Sequence, residues 1–234
     1  VAAGPWKVKL LDSAGTKLKL VKGTHLVLPA IPDCQSAFRL TAPQDGRVFF
    51  VIPWYGRTLL GTTESEVAAP QDAHPSEAEE RYLLAAANAW LPGVKWTAAD
   101  VLSRFSGVRA LQAQATENLA AVTREFVIAT PRPGLIAPIG GKYTTARADA
   151  AQIVDLALRT LGRGAVACTT GQHALSGSAG NHAQWQSALT QAGVDTEASR
   201  WLWQRRGAHC ARIQVLLTDN PAWPPRLARV PGVV

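Results

Sequence analysis

Methionine is absent from all 234 residues, and no apolar run reaches the roughly 18 residues that a membrane-spanning helix requires. Without methionine there is no initiator residue, so processing, or a piece cut from a longer protein, is the expectation. Cysteine is scarce: Cys34, Cys168 and Cys210 are few and odd in number, which suits a reducing compartment. The opening VAAGPWKVKL lacks the layout of a signal peptide. There is no block of lysine or arginine and no aromatic stacking motif of the RNA-binding kind, so nucleic acid is not an expected partner. What is there is an ordinary globular composition, 47% hydrophobic and 18% charged, long enough for one large domain or two small ones. The net charge of +7 favours anionic partners, phosphorylated metabolites or acidic lipid headgroups, with a solvated basic surface as the plainer alternative.

The first 65 residues read as strands. TKLKLVKGTHLVLP alternates leucine with lysine before its glycine, and GRVFFVIPWYGRTLLGTTE is two apolar runs around the turn residues Trp54 to Arg57. A helix is expected from Ser76 to Leu91, capped by the Ser76 and Glu79 box and stopped by Pro92 and Gly93. A strand-like DVLSRFSGVRAL follows, then a second hairpin in which NLAAVTREFVIAT and GLIAPIGG flank PRPG. Ala146, Ala150, Ile153, Val154, Ala157, Leu158 and Leu161 recur at helical spacing over 145 to 161, with Thr144 or Thr145 placed as the cap. Beyond the small-residue loop TGQHALSGSAGNH, short helices are expected over Ala183 to Ala192, Thr196 to Arg206 and Ala208 to Leu217. The reading is α+β, a mixed, mainly antiparallel sheet with packed helices and then a small helical unit, the boundary lying near 165 to 182.

Most familiar chemistry fails on spacing. IGGKYTTARADA is no phosphate loop, since Ile136 and Tyr143 stand where that motif needs glycine and a hydroxyl. Gly162, Gly164 and Ala167 follow a helix instead of opening one, so the dinucleotide fingerprint is missing. Cys168, His173, His182, His209 and Cys210 do not reproduce paired metal-ligand spacing, and no metal is expected. No GxSxG elbow is present. What remains is His25, Arg109, Arg124 and Lys142, basic side chains in apolar surroundings. Each has a bland reading as a satisfied core histidine or a snorkelling or surface cation. Together they offer two guanidinium forks and an ammonium for a phosphate, beside a group able to accept a proton near neutral pH. The double glycine Gly140 and Gly141, before Lys142 and a helix, brings bare amides close to something flat or anionic, or makes a tight turn.

Five strings in order, KGTHLVLP, RVFFVIPWYGRTLLGTTE, RFSGVRAL, AAVTREF and GGKYTTARADA, resemble the FAD-dependent glycerol-3-phosphate dehydrogenases over about residues 18 to 165. The likeness continues more weakly through WLWQRRGAHCARIQVLL. It implies a substrate-binding sheet domain like that of D-amino-acid oxidase over 1–133, a strand and helix of the FAD-binding domain over 134–165, and an incomplete helical C-terminal domain over 166–234. The reaction implied is oxidation of sn-glycerol 3-phosphate at C2 to dihydroxyacetone phosphate, with hydride passing to FAD and electrons on to quinone. By motif match His25 is the base, Arg109 and Arg124 hold the phosphate, and Lys142 sits between substrate and flavin. Gly140, Gly141, Lys142 and Thr144 would contact the cofactor. The family also implies a cytoplasmic protein associated peripherally with the inner face of a bacterial membrane, and leaves the oligomeric state open, a homodimer included.

This chain lacks the family's opening glycine-rich nucleotide fingerprint, and carries Glu64 where aspartate is usual and Ala110 where proline is usual. It is therefore expected to be an internal fragment, inactive alone and without its own FAD. The alternatives are a related flavin-dependent glycerophosphate oxidase or amine oxidase, a stand-alone anion-binding module built on this sheet, and an inert scaffold.

Overall fold

The computed structural model describes residues 1–113, 124–178 and 180–223, which divide into two compact units, Val1–Ala167 and Cys168–Val234. The first is organised around one long strand, β1 (Leu18–Pro29). Along one edge it pairs with β4 (Arg57–Gly61) and the short β5 (Ser65–Glu66), and along the other with β6 (Ser103–Gln112). The sheet extends beyond β4 through β3 (Val48–Trp54) to β2 (Phe38–Thr41), and every pairing is antiparallel. Tyr55 and Gly56, both at positive φ, make the tight turn between β3 and β4 that the sequence announces.

Strand periodicity sorts the side chains. Leu26 and Leu28 of β1, Phe49 and Val51 of β3 and Leu60 of β4 point to one face, where they meet Leu83, Leu84, Ala86 and Ala87 of α2 (Glu77–Trp90) and Trp96. Burying each of those leucines contributes about 1.5–3 kcal/mol. Helix α2 starts where the sequence places it: Ser76 Oγ accepts from the Glu79 amide and the Glu79 carboxylate accepts from the Ser76 amide. Glu79 has a second task on the same face. Its carboxylate pairs with the Lys22 ammonium at 2.9 Å and accepts from Thr63 and Ser65 at 2.9 Å each, while Lys22 also donates to the His74 carbonyl. Burial pushes the Glu79 carboxyl up, but Lys22 and the donors of Ser76, Ser65 and Thr63 outweigh it and hold the group down at about 2.

Two expectations are corrected. Residues 4 to 12 are helical, a 3-10 turn followed by α1 (Val8–Asp12), not strand; Leu11 is fully buried against Ala137 and Ile139 of the hairpin β7 (Val127–Arg132) and β8 (Leu135–Ile139). Arg124 lies ahead of β7 instead of inside it, because the strand begins at Val127; residues 118–123 of that expected strand lie outside the described residues. Helix α3 (Ala146–Thr160) forms after a 3-10 turn at Tyr143–Thr145, and its apolar stripe is only partly covered: Ile153, Ala157 and Leu158 are half-buried, while Val154 and, just past the helix, Leu161 are exposed.

The second unit is helical, α4 (His182–Gln191), α5 (Thr196–Arg206) and α6 (Cys210–Asp219). Leu189, Val194, Cys210 and Leu217 form its core, backed by Trp185, Leu202, Trp203 and Ile213. No described helix is long and apolar enough to cross a membrane.

Candidate functional site

The face of the sheet away from α2 carries the chemistry. Register aligns Phe50, Gly61, His25 and Phe105 in one row across β3, β4, β1 and β6, on the side opposite Leu26 and Leu60. Phe50 is 39% and Phe105 47% exposed, so this face stays open where the other is packed. The His25 imidazole lies flat on Phe105, ring centroids 5.2 Å apart and planes 9° from parallel. Gly61 is required beneath it, because a Cβ there would collide with the imidazole ring.

The next row pairs Gly23 with Gly107, and the one after pairs Val21 with Arg109. The Arg109 guanidinium leans over Gly23, where a Cβ would stand 2.6 Å from Nη2 and 2.5 Å from Thr62 Oγ1. Above Gly107 a Cβ would meet nothing within 4 Å among the described residues. The result is a side-chain-free patch on β6 between Phe105 and Arg109, with His25 and Gly23 on the neighbouring strand. Burial first, and the Arg109 charge second, hold the His25 pKa below its usual 6.5, so the imidazole is neutral at pH 7.

Arg109 does not stand alone. Its Nη2 donates to Thr62 Oγ1 at 3.5 Å, and Nη1 lies 3.8 Å from the Glu64 carboxylate, too far for a hydrogen bond, and finds no other acceptor among the described residues. Arg124 Nη2 donates to that same carboxylate, whose side chain is only 9% exposed. Burial and then the Arg124 charge lower the Arg109 pKa, while Glu64 pulls it back up, so the two guanidiniums are near enough to repel with one carboxylate between them. The Glu64 backbone is pinned as well: its carbonyl accepts from Arg47 Nη1 at 3.0 Å, and the adjacent Thr63 hydroxyl accepts from the Thr24 amide at 3.0 Å.

Three of the sequence-derived residues, His25, Arg109 and Arg124, are thus brought into one connected set. Gly140 and Gly141 join it through the backbone. Both have positive φ, Gly141 N–H donates to the Arg124 carbonyl at 3.0 Å, and a Cβ on Gly140 would collide with the Glu125 carbonyl. The close approach that excludes a side chain is chain against chain, and the Gly141 amide is engaged there. Lys142 and Thr144 are exposed just beyond; the Lys142 amide donates to Thr145 Oγ1 at 3.3 Å. Sequence reasoning missed Phe105, Thr62 and the three glycines of the open face. It noted Glu64 only as a departure from the family pattern. Among the described residues no group of three or more His, Cys, Asp and Glu side chains could hold a metal ion.

A long central strand in a mainly antiparallel sheet, helices on one face and a polar cluster on the other, matches a known class. The chain belongs to the DAO family of FAD-dependent oxidoreductases, which it matches over residues 1–147. Within that class its relatives are glycerol-3-phosphate dehydrogenases. It is 35% identical over 166 residues to the mitochondrial enzyme of that name from Arabidopsis thaliana, covering 68% of this chain and 26% of that one. It is 29% identical over 226 residues to glycerol-3-phosphate dehydrogenase 2 of Mycobacterium tuberculosis, 92% of this chain and 37% of that one. The solved glycerol-3-phosphate dehydrogenase of Bacillus halodurans, complexed with FAD, superposes with a TM-score of 0.77 at 28% identity, over 95% of this chain and 45% of that one. The chain therefore spans about a quarter to just under half of the length of these relatives.

The side chains present fit the ring end of FAD. The open face offers a flat His25–Phe105 pair, an exposed Phe50 and, over Gly107, space free of described side chains. For the pyrophosphate end the double glycine fits poorly, because it spends an amide on the Arg124 carbonyl.

Proposed function

We propose that the open face of the sheet binds sn-glycerol 3-phosphate, and that the protein carrying this chain oxidises its C2 hydroxyl to the ketone of dihydroxyacetone phosphate. The observation that carries the reading is the pairing of a neutral imidazole with a half-buried guanidinium, its Nη1 shielded from solvent, across the hollow above Gly107. Arg109, with Arg124 close by, supplies the positive charge that a phosphate dianion seeks. His25 accepts the hydroxyl proton as C2 loses its hydrogen with the bonding electron pair. FAD, when bound, would supply the acceptor for that hydride, and in this reading a quinone would receive the electrons. Lys142, exposed next to the double glycine, would border the substrate and the flavin, and Gly140, Gly141 and Thr144 would face the cofactor.

Phe105 keeps the imidazole in plane and partly dry, which preserves its neutral form. The hollow excludes bulk at C2 because Phe105 and Arg109 flank it on β6. The net charge of +7 supports a peripheral, electrostatic association with an anionic inner membrane surface, where a quinone would be within reach.

Calorimetry tests the binding half. Glycerol 3-phosphate is expected to bind and glycerol not, and Arg109→Ala is expected to weaken binding by about 10-fold or more, the worth of one charged hydrogen bond. Equal binding of both compounds, or an unaltered Arg109→Ala, contradicts the reading.

A further inference from the structure

Glu64 stands between two arginines that a phosphate site would be expected to use alike, and it treats them differently. Its carboxylate hydrogen-bonds Arg124, which is 45% exposed, but stays 3.8 Å from Nη1 of the less exposed Arg109. Arg109 Nη1 is thereby left with a counter-charge and no acceptor among the described residues, although it is shielded from solvent. A buried donor without an acceptor is costly, so a group that can supply one is drawn to it. What keeps the carboxylate off Arg109 is its bond to Arg124: the backbone around it is fixed, the Glu64 carbonyl by Arg47 and Thr63 by Thr24 and Glu79, but the side chain itself is held by Arg124.

We infer that Glu64 is a positioning residue that divides the work of the arginine pair. It takes Arg124 as its own partner and keeps Arg109 charged, aligned and unsaturated for the substrate phosphate. Arg124 then acts on phosphate affinity chiefly by holding the Glu64 carboxylate off Arg109. Deprived of Arg124, the carboxylate turns to the remaining guanidinium and competes with the ligand there. This deepens the glycerol 3-phosphate reading and rests on it for the identity of the ligand, while the division of labour concerns any phosphate.

A double-mutant cycle decides it. The probe is inorganic phosphate, measured by calorimetry on the protein carrying this chain and its Arg124→Ala, Glu64→Gln and double variants, alongside KM and kcat for glycerol 3-phosphate. Arg124→Ala is expected to weaken phosphate binding and raise KM about 10-fold or more, with kcat changed much less. Adding Glu64→Gln is expected to restore both to within about 3-fold of the parent, since the competing charge is gone. Thermal melts of every variant accompany the binding data, and if Glu64→Gln melts early, Glu64→Ala, which also removes the charge, takes its place in the cycle with the same expected restoration. A double variant as weak as Arg124→Ala, or weaker, overturns the inference, as does a parent that binds no phosphate. Phosphate binding that follows the cycle without turnover of glycerol 3-phosphate would defeat the substrate assignment and leave the role of Glu64 standing.

Discussion

His25 and Phe105 lie face to face on neighbouring strands, 5.2 Å between centroids, and this contact sets both the orientation and the dryness of the imidazole. Because Phe105 is 47% exposed, replacing it by alanine should cost little stability, about 0.5–1.5 kcal/mol. It should nevertheless rehydrate His25 and raise its pKa, as read from the imidazole proton shifts in an NMR titration. An unmoved pKa with an unmoved rate would show that the stack is ornamental.

The Arg109 charge is the second cause of the low His25 pKa, after burial. Arg109→Ala should therefore move that pKa upward toward 6.5 as well as weaken phosphate binding. The sign for stability follows from linkage. The folded-state pKa is depressed, so the stability His25 contributes is present above its unfolded value of about 6.5 and is lost as pH falls through the lower folded value. Thermal melts of the parent should fall more steeply on acidification over that interval than those of His25→Gln.

The glycines of the open face separate packing from binding. Gly61→Ala would drive a methyl group into the His25 ring and should destabilise the fold by about 1–3 kcal/mol while displacing the base. Gly107→Ala meets nothing within 4 Å, so its melting temperature should match the parent or exceed it. If the hollow receives substrate, its KM for glycerol 3-phosphate should nonetheless rise. Chemical denaturation and steady-state kinetics on the pair read the two effects apart.

Lys22 and Glu79 form the buried ion pair under the sheet, and Lys22→Met leaves the Glu79 carboxylate without its main partner. The expected loss is about 3–5 kcal/mol in urea unfolding. With the Glu79 carboxyl held at about 2 against an ordinary value near 4.5, its contribution is present above about 4.5 and disappears as pH drops toward 2. Glu79→Gln should flatten that acid limb.

Much of the architecture was legible because local signals agreed with tertiary ones. The Ser76 and Glu79 box marked the start of α2, and Tyr55–Gly56 marked the β3–β4 turn. Where packing decided, reading failed: the segment at 4–12 is helical because Leu11 can reach Ala137 and Ile139, more than a hundred residues away. His25, Arg109 and Arg124 stood out as polar residues in apolar strings. Glu64 did not, since its meaning comes from partners 45 and 60 positions distant. The double glycine was recognised as a close approach, but its neighbour is the carbonyl of Glu125, which no spacing rule identifies.

The most direct test of the central claim is anaerobic reduction of the flavin at about 450 nm, in the FAD-loaded protein carrying this chain, on mixing with glycerol 3-phosphate. The account predicts bleaching by the parent and a rate lower by about 10²–10⁴-fold in His25→Gln, the usual worth of a general base. Bleaching of His25→Gln at the parental rate, or none in the parent, would contradict it.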